Sequence, residues 1–262
     1  MDLGLSGKAA VVAASSKGLG KASALALARE GASVAICART GADLDRAAAQ
    51  IRAETGAQVL AVPADLSTAA GVTSVTEAAA AEFGGIDILI ANSGGPPLGQ
   101  FGDFTDEDWK QAFETVTLGF VRFVRAVLPH MRTRPWGRIV GIQSSSVKQP
   151  VRNIDLSNGI RPGLAGLVKA LMPDLAADDI TINLVLPGSF RTSRIFAGAE
   201  NEPPPAVTAE SRAELRASGI PAGRFGEPGE LGDLVAFLAS ARAGYITGGA
   251  FQIDGGVIRS NV

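Results

Sequence analysis

Apolar residues along this chain come in short bounded runs that alternate with stretches of helical spacing. The runs at 8–14, 33–38, 57–62, 86–91, 138–143, 180–186 and 249–253 are rich in Val, Ile, Leu and Ala, as strands buried on both faces are. Between them, 18–30, 41–54, 69–83, 106–132, 163–177 and 228–239 place apolar residues on one side of a helix. The alternation predicts an α/β fold in which a doubly wound, parallel, seven-stranded sheet carries helices on both faces. No internal repeat and no shift in composition marks a boundary, so 1–262 is expected to form one domain. The exception to the alternation is a long irregular segment at about 190–220, containing the low-complexity stretch Ala197 to Ala206. A loop of that length reads as a lid over a substrate.

Ligands of such a sheet bind beyond the carboxyl ends of its strands. After the first strand come Ser15-Ser16-Lys17-Gly18-Leu19-Gly20 and then a helix. Glycines there let backbone N–H groups approach a pyrophosphate, and the helix N-terminus adds partial positive charge; a plain turn reads the same way. After the second strand, Ala38-Arg39 offers Arg39, with Lys17, to a 2′-phosphate, favouring NADP(H) over NAD(H); the alternative is two solvated charges. After the third, Asp65-Leu66 offers a carboxylate to an adenine amino group or to the N-terminus of the next helix. After the fourth, Asn92-Ser93-Gly94 passes a nicotinamide ribose or simply turns into Pro96-Pro97.

Composition narrows the partners. With 24 Lys and Arg against 26 Asp and Glu, neither nucleic acid nor an anionic membrane is an expected partner. Met1 to Leu5 lacks the features of a signal peptide, and no apolar run is long enough to span a bilayer. Cys37, the sole cysteine, lies in an apolar strand, which points to a cytoplasmic location. With one His (His130) and one Cys, no metal site is expected.

Seven landmarks occur in order: Ser16 to Gly20; Ala64-Asp65-Leu66; Asn92-Ser93-Gly94; Gly137-Arg138-Ile139-Val140 with Ser144; Leu186-Pro187-Gly188 with Thr192; Gly223-Arg224-Phe225-Gly226; and Ile246-Thr247-Gly248-Gly249 with Asp254-Gly255-Gly256. In this order and spacing the chain resembles the short-chain dehydrogenase/reductase family, in its single-domain form, over nearly its whole length. The resemblance implies a Rossmann-like fold, and a dinucleotide held by Ser16, Lys17, Gly18, Leu19, Gly20, Arg39, Asp65, Leu66, Asn92, Gly94, Pro187, Gly188 and Thr192. It also implies a homo-oligomer, a dimer or homotetramer, paired through the helix at 106–132 and the one after Pro162. Phe113, Phe120, Val121, Val124 and Leu128 supply apolar surface on the first of these, unless all of them face the sheet. In the first turn the family's Thr-Gly is replaced by Ala13-Ala14.

The family's chemistry uses an Asn, a Ser, a Tyr and, four residues after it, a Lys. Ser144 matches the Ser; the Tyr position is Ser157, the Lys position Arg161 and the Asn position Val116. Tyr245, the only tyrosine, lies before the last strand and is no substitute. A phenol, with a pKa of about 10, can be tuned toward neutrality by a cation. A serine hydroxyl is a much weaker acid, and a guanidinium does not release its proton. Losing a positioned acid typically costs about 10²–10⁴-fold in rate. If a helix starts at Pro162, Ser157 and Arg161 do not share a helical face, and Ser157-Asn158 becomes a helix cap. Asp155 and Lys148 are candidate stand-in acids.

The resulting expectation is an NADP(H)-dependent oxidoreductase acting on a small carbonyl or hydroxyl compound, with Ser144, Ser157 and Arg161 at the reacting end and altered proton delivery. The alternative is a dinucleotide-binding sensor or assembly partner without redox turnover. A third reading is non-redox chemistry, such as dehydration, in the same pocket.

Overall fold

The computed structural model describes residues 1–193 and 219–260. Seven parallel strands form one sheet in the order β3-β2-β1-β4-β5-β6-β7. They are β1 (Ala9–Val12), β2 (Ser33–Ala38), β3 (Val59–Pro63), β4 (Ile88–Ala91), β5 (Gly137–Ile142), β6 (Ile180–Pro187) and β7 (Ala250–Ile253). The strand order reverses between β1 and β4, which leaves a crevice at their carboxyl ends where ligands of doubly wound sheets bind.

Both sheet faces are covered, and the period of two along each strand assigns the side chains. Ala10 and Val12 of β1 join Ile88 and Ile90 of β4 in one core, with α1 (Gly18–Arg29), α2 (Gly41–Thr55) and Pro228–Leu238, here α8. Val11 and Ala13 join Leu89 and Ala91 in the other, against α3 (Ala69–Phe83), α5 (Gly119–Thr133) and α7 (Pro162–Ala176). All four residues of β1 and of β4 are buried, so apolar runs there are near-continuous rather than alternating.

Two helical expectations are revised. The helix expected at 106–132 is divided into α4 (Asp106–Phe113), one π turn at Glu114–Leu118, and α5. On it Phe120 and Val124 face the sheet, whereas Phe113 is 47 % exposed, so its apolar residues do not all point inward. The helix expected to begin near Pro162 is preceded directly by α6 (Asp155–Ile160). Arg161, at φ −69° and ψ −33°, is itself helical. Pro162 takes the first position of α7, where its missing N–H does no harm. The Arg161 N–H donates to the Ser157 carbonyl at 3.1 Å, so the two residues are stacked one turn apart after all. The cap reading of Ser157-Asn158 is therefore corrected: Ser157 lies inside α6, and the Asn158 carboxamide bonds the backbone of Val151.

Of the segment at about 190–220, only its two ends are described. Its start is pinned to the chain that follows it, with Arg191 N–H donating to the Gly226 carbonyl and Gly226 N–H to that of Ser189. Residues 194–218, including the proline-rich stretch, lie outside the described residues.

Candidate functional site

The turn after β1 determines one end of the crevice. Ala14 adopts φ +49°, and its carbonyl oxygen lies 2.3 Å from where a Cβ on Gly20 would stand. Only glycine fits at 20, because the helix starts directly against that carbonyl. Gly18 is at φ +56°. Ser15 is turned inward, donating to the Val12 carbonyl at 2.6 Å and accepting from the Cys37 N–H at 3.0 Å. Leu19 packs toward the core. Ser16 and Lys17 face a cavity of about 720 Å³. The N-terminus of α1 has no side-chain cap and no acidic residue in its first turn. Its N–H groups are thus available to an anion, and the turn fits a dinucleotide diphosphate.

Toward β2 and β3 the same cavity is lined by Arg39, Asp65 and Leu66. Lys17 Nζ is 2.6 Å from Asp43 Oδ2, and Arg46 also pairs with Asp43. These cations, Lys17 first, hold the Asp43 carboxyl below the usual carboxylate range. Sequence reading passed over Asp43; its only signal was an acidic residue in the first turn of α2, close behind Arg39. Asp65 Oδ1 accepts from the Ser67 N–H at 3.1 Å and the Ser67 hydroxyl at 2.8 Å, which keeps its carboxyl low. The cap of α3 is not Asp65 but Thr68, whose hydroxyl accepts from the Gly71 N–H.

At the switch point Asn92 Nδ2 donates to the Ala14 carbonyl at 3.3 Å, tying the end of β4 to the turn after β1. Asn92, Ser93 and Gly94 line the cavity. Opposite them stand Val116, in the π turn, and Phe120 of α5. Val116 is buried in the apolar core, so nothing polar takes the place of the family's Asn there.

The reacting end is built from the turn after β5 and from α6. Ser144 Oγ accepts from the Ser146 N–H at 3.1 Å, and the Ser146 and Ser157 hydroxyls are 3.1 Å apart. Arg161 Nη1 donates to Gln143 Oε1 at 2.7 Å, with both residues buried. Gln143, which sequence reading also missed, lines the cavity; no motif pointed to it. The two stand-in acids are engaged elsewhere. Asp155 accepts from the Phe101 N–H and from Asn158, and Lys148 Nζ reaches Gln252 Oε1 at 3.5 Å.

Pro187 and Gly188 close β6. A Cβ on Gly188 would stand 2.7 Å from Asp254 Cβ, so glycine there lets the ends of β6 and β7 meet. The chain then crosses toward the first turn. The Thr192 methyl lies 3.4 Å from a Cβ built on Gly18, and both residues line a smaller cavity of about 460 Å³ beside α1.

Comparison with known proteins extends this geometry. The sequence pattern of the family described as enoyl-(acyl carrier protein) reductase matches residues 13–258. The 3-oxoacyl-[acyl-carrier-protein] reductase FabG of Escherichia coli is 34 % identical over 253 residues, covering 96 % of this chain and 97 % of that protein. L-sorbose reductase from Gluconobacter frateurii, solved with NADPH and L-sorbose, superimposes with a TM-score of 0.94 at 32 % identity, covering 99 % of this chain and 100 % of that one. A variant of actinorhodin polyketide ketoreductase, solved with NADPH, gives a TM-score of 0.90 at 29 % identity, covering 97 % and 98 %. A doubly wound sheet, an uncapped helix at the β1 turn, a cavity along the strand ends and full-length likeness to these reductases agree: the chain belongs to the short-chain dehydrogenase/reductase family of oxidoreductases.

Proposed function

We propose that this protein is an NADP(H)-dependent oxidoreductase that acts on a small carbonyl or hydroxyl compound and delivers the proton without a tyrosine. The observation that carries the reading is the cavity running from Arg39 and Asp65, past the open N-terminus of α1, to Gln143. Its volume of about 720 Å³ and its reach across the ends of the strands suit a dinucleotide, and Arg39 with Lys17 suits a 2′-phosphate. The solved relatives with NADPH support the same choice. In this reading Ser16 to Gly20, Pro187, Gly188 and Thr192 hold the diphosphate and nicotinamide side. Asp65 and Leu66 take the adenine, and Asn92 and Gly94 take the ribose. The chain acts as one domain, 1–262, in the cytoplasm and as a homo-oligomer. Among the described residues no helix is long and apolar enough to cross a membrane.

Bound there, the nicotinamide ring would supply or accept the hydride. The chain's own residues then handle oxygen and proton. Ser144 Oγ accepts from a backbone N–H, so its own proton is directed at an acceptor such as the substrate oxygen. Ser157 and Ser146 form a hydroxyl pair that orients donors but supplies no acid of useful strength. Arg161 keeps a fixed positive charge near the site and cannot give up its proton. Water therefore completes the protonation in this reading.

The test is titration with NADPH and NADH, followed by a hydride-transfer screen over ketones, ketoacids and their alcohols. NADPH is expected to bind more tightly and to be oxidised slowly. Adding the phenol and ammonium, through Ser157→Tyr with Arg161→Lys, is expected to raise kcat by about 10²-fold or more. A wild type that binds NADPH yet transfers no hydride to any compound overturns the reading.

A further inference from the structure

Gln143 holds a position whose chemistry none of the roles above uses. It follows β5 directly, it is 8 % exposed, and it lines the cavity. Its carboxamide orientation follows from its neighbour. A guanidinium only donates, so the atom 2.7 Å from Arg161 Nη1 must be the oxygen, and Nε2 is turned the other way. Among the described residues no hydrogen bond from that Nε2 is made, so its donor is available to a ligand in the cavity.

We infer that Gln143 donates from Nε2 to a hydroxyl of the nicotinamide-side ribose, held in place for that contact by Arg161. The inference rests on the dinucleotide reading of the cavity. Three features select this acceptor. Gln143 shares its cavity wall with Asn92 and Gly94, at the carboxyl end of the neighbouring strand, and that wall does not include Ser144 or Ser157. Of the cavity side chains on the π turn and α5, Val116, Phe120 and Phe123 are apolar and the Thr115 hydroxyl is engaged with Gln111, so an acceptor at this place comes from the ligand. Arg161 directs Nη1 to Gln143 Oε1, which fixes the carboxamide and leaves its N–H end as the one that can donate to a ligand. Gln143 is a binding residue in this assignment, and Arg161 is its positioning residue.

The experiment measures binding of two probes, NADPH and adenosine 2′,5′-bisphosphate, by calorimetry on wild type and on Gln143→Met. Methionine keeps the length and volume and removes the N–H. Adenosine 2′,5′-bisphosphate keeps the adenine half and lacks the second ribose. The expected result is NADPH binding about fivefold to tenfold weaker, one neutral hydrogen bond, with adenosine 2′,5′-bisphosphate binding unchanged. Equal losses for both probes would mean that Gln143 merely supports the fold, and unchanged binding of both would mean that it makes no contact; either result overturns the inference. Should Gln143→Met fail to fold, Gln143→Asn retains a carboxamide for Arg161 but, one methylene shorter, cannot span to the ligand, and the same selective loss is expected. A wild type that binds neither probe would instead sink the dinucleotide reading itself.

Discussion

Ala14 has φ +49°, a left-handed backbone in which a Cβ is crowded by the following carbonyl. The left-handed conformation costs an L-residue about 1–2 kcal/mol, and glycine's extra freedom in the unfolded chain offsets about 0.5–1 kcal/mol of the gain from replacing it. Ala14→Gly is therefore expected to stabilise the protein by about 0.5–1 kcal/mol, raising the thermal midpoint by about 1–3 °C. A fall in the midpoint in a calorimetric scan would show that the methyl group packs usefully against its surroundings. Reading Ala13-Ala14 in place of Thr-Gly revealed a departure from the family pattern. It did not reveal that one of the two alanines would take the glycine's conformation, because the strain is imposed by where α1 must start. Asp43 and Gln143 were invisible for a related reason. Each matters through a partner far along the chain, Lys17 for one and Arg161 for the other.

Among the elements, α6 and α8 show how caps and junctions direct the site. α6 exists because the Asn158 carboxamide bonds Val151 and Asp155 anchors Phe101, and it carries Ser157 and Arg161 in register with α7. Proline at 162 suggested a break; its place at the first position of α7 makes it a junction instead. In α8, Glu230 accepts from both Arg224 Nη atoms and from the Glu227 N–H, and the Arg224 hydrogen bonds are the chief reason its pKa is pushed down to about 2. A carboxyl depressed in the folded state takes up its proton in the unfolded state first, so acid favours unfolding. Stability from this group is complete above about pH 4.5 and is lost as pH falls toward about 2. Glu230→Gln should flatten the fall of the thermal midpoint across that window, and an unchanged acid slope would show that the exposed pair is without effect. The landmark containing Arg224 is thereby explained as the cap of a helix rather than as part of the chemistry.

For the molecule as a whole, the reversal of strand order between β1 and β4 brings the separate landmarks to one edge of the sheet. Assembly belongs to this scale. Phe113 on α4 is 47 % exposed and Phe101, whose ring lies near that of Trp109 on the same helix, is 73 % exposed, although Phe120 and Val124 are consumed by the core. This exposed aromatic surface supports pairing along α4 and α5, and light scattering at micromolar concentration is expected to give the mass of a dimer or tetramer. A monomer mass would count against the homo-oligomer.

The sequence by itself determined the class and the cast. Buried strands need continuous apolar runs and helices need a periodic face, so seven strands and most helices were legible within a few residues. The landmarks at the strand ends were legible too, because tight turns and close backbone approaches there demand glycine or small residues. Tertiary structure decided which of those residues meet. It turned Ser15 into the core, gave the cap of α3 to Thr68, tied Lys17 to Asp43 and set Arg161 on Gln143. Hydrogen bonds and ion pairs between residues distant in sequence depend on side-chain direction at an angstrom scale, which hydrophobic periodicity does not encode and the packed sheet does.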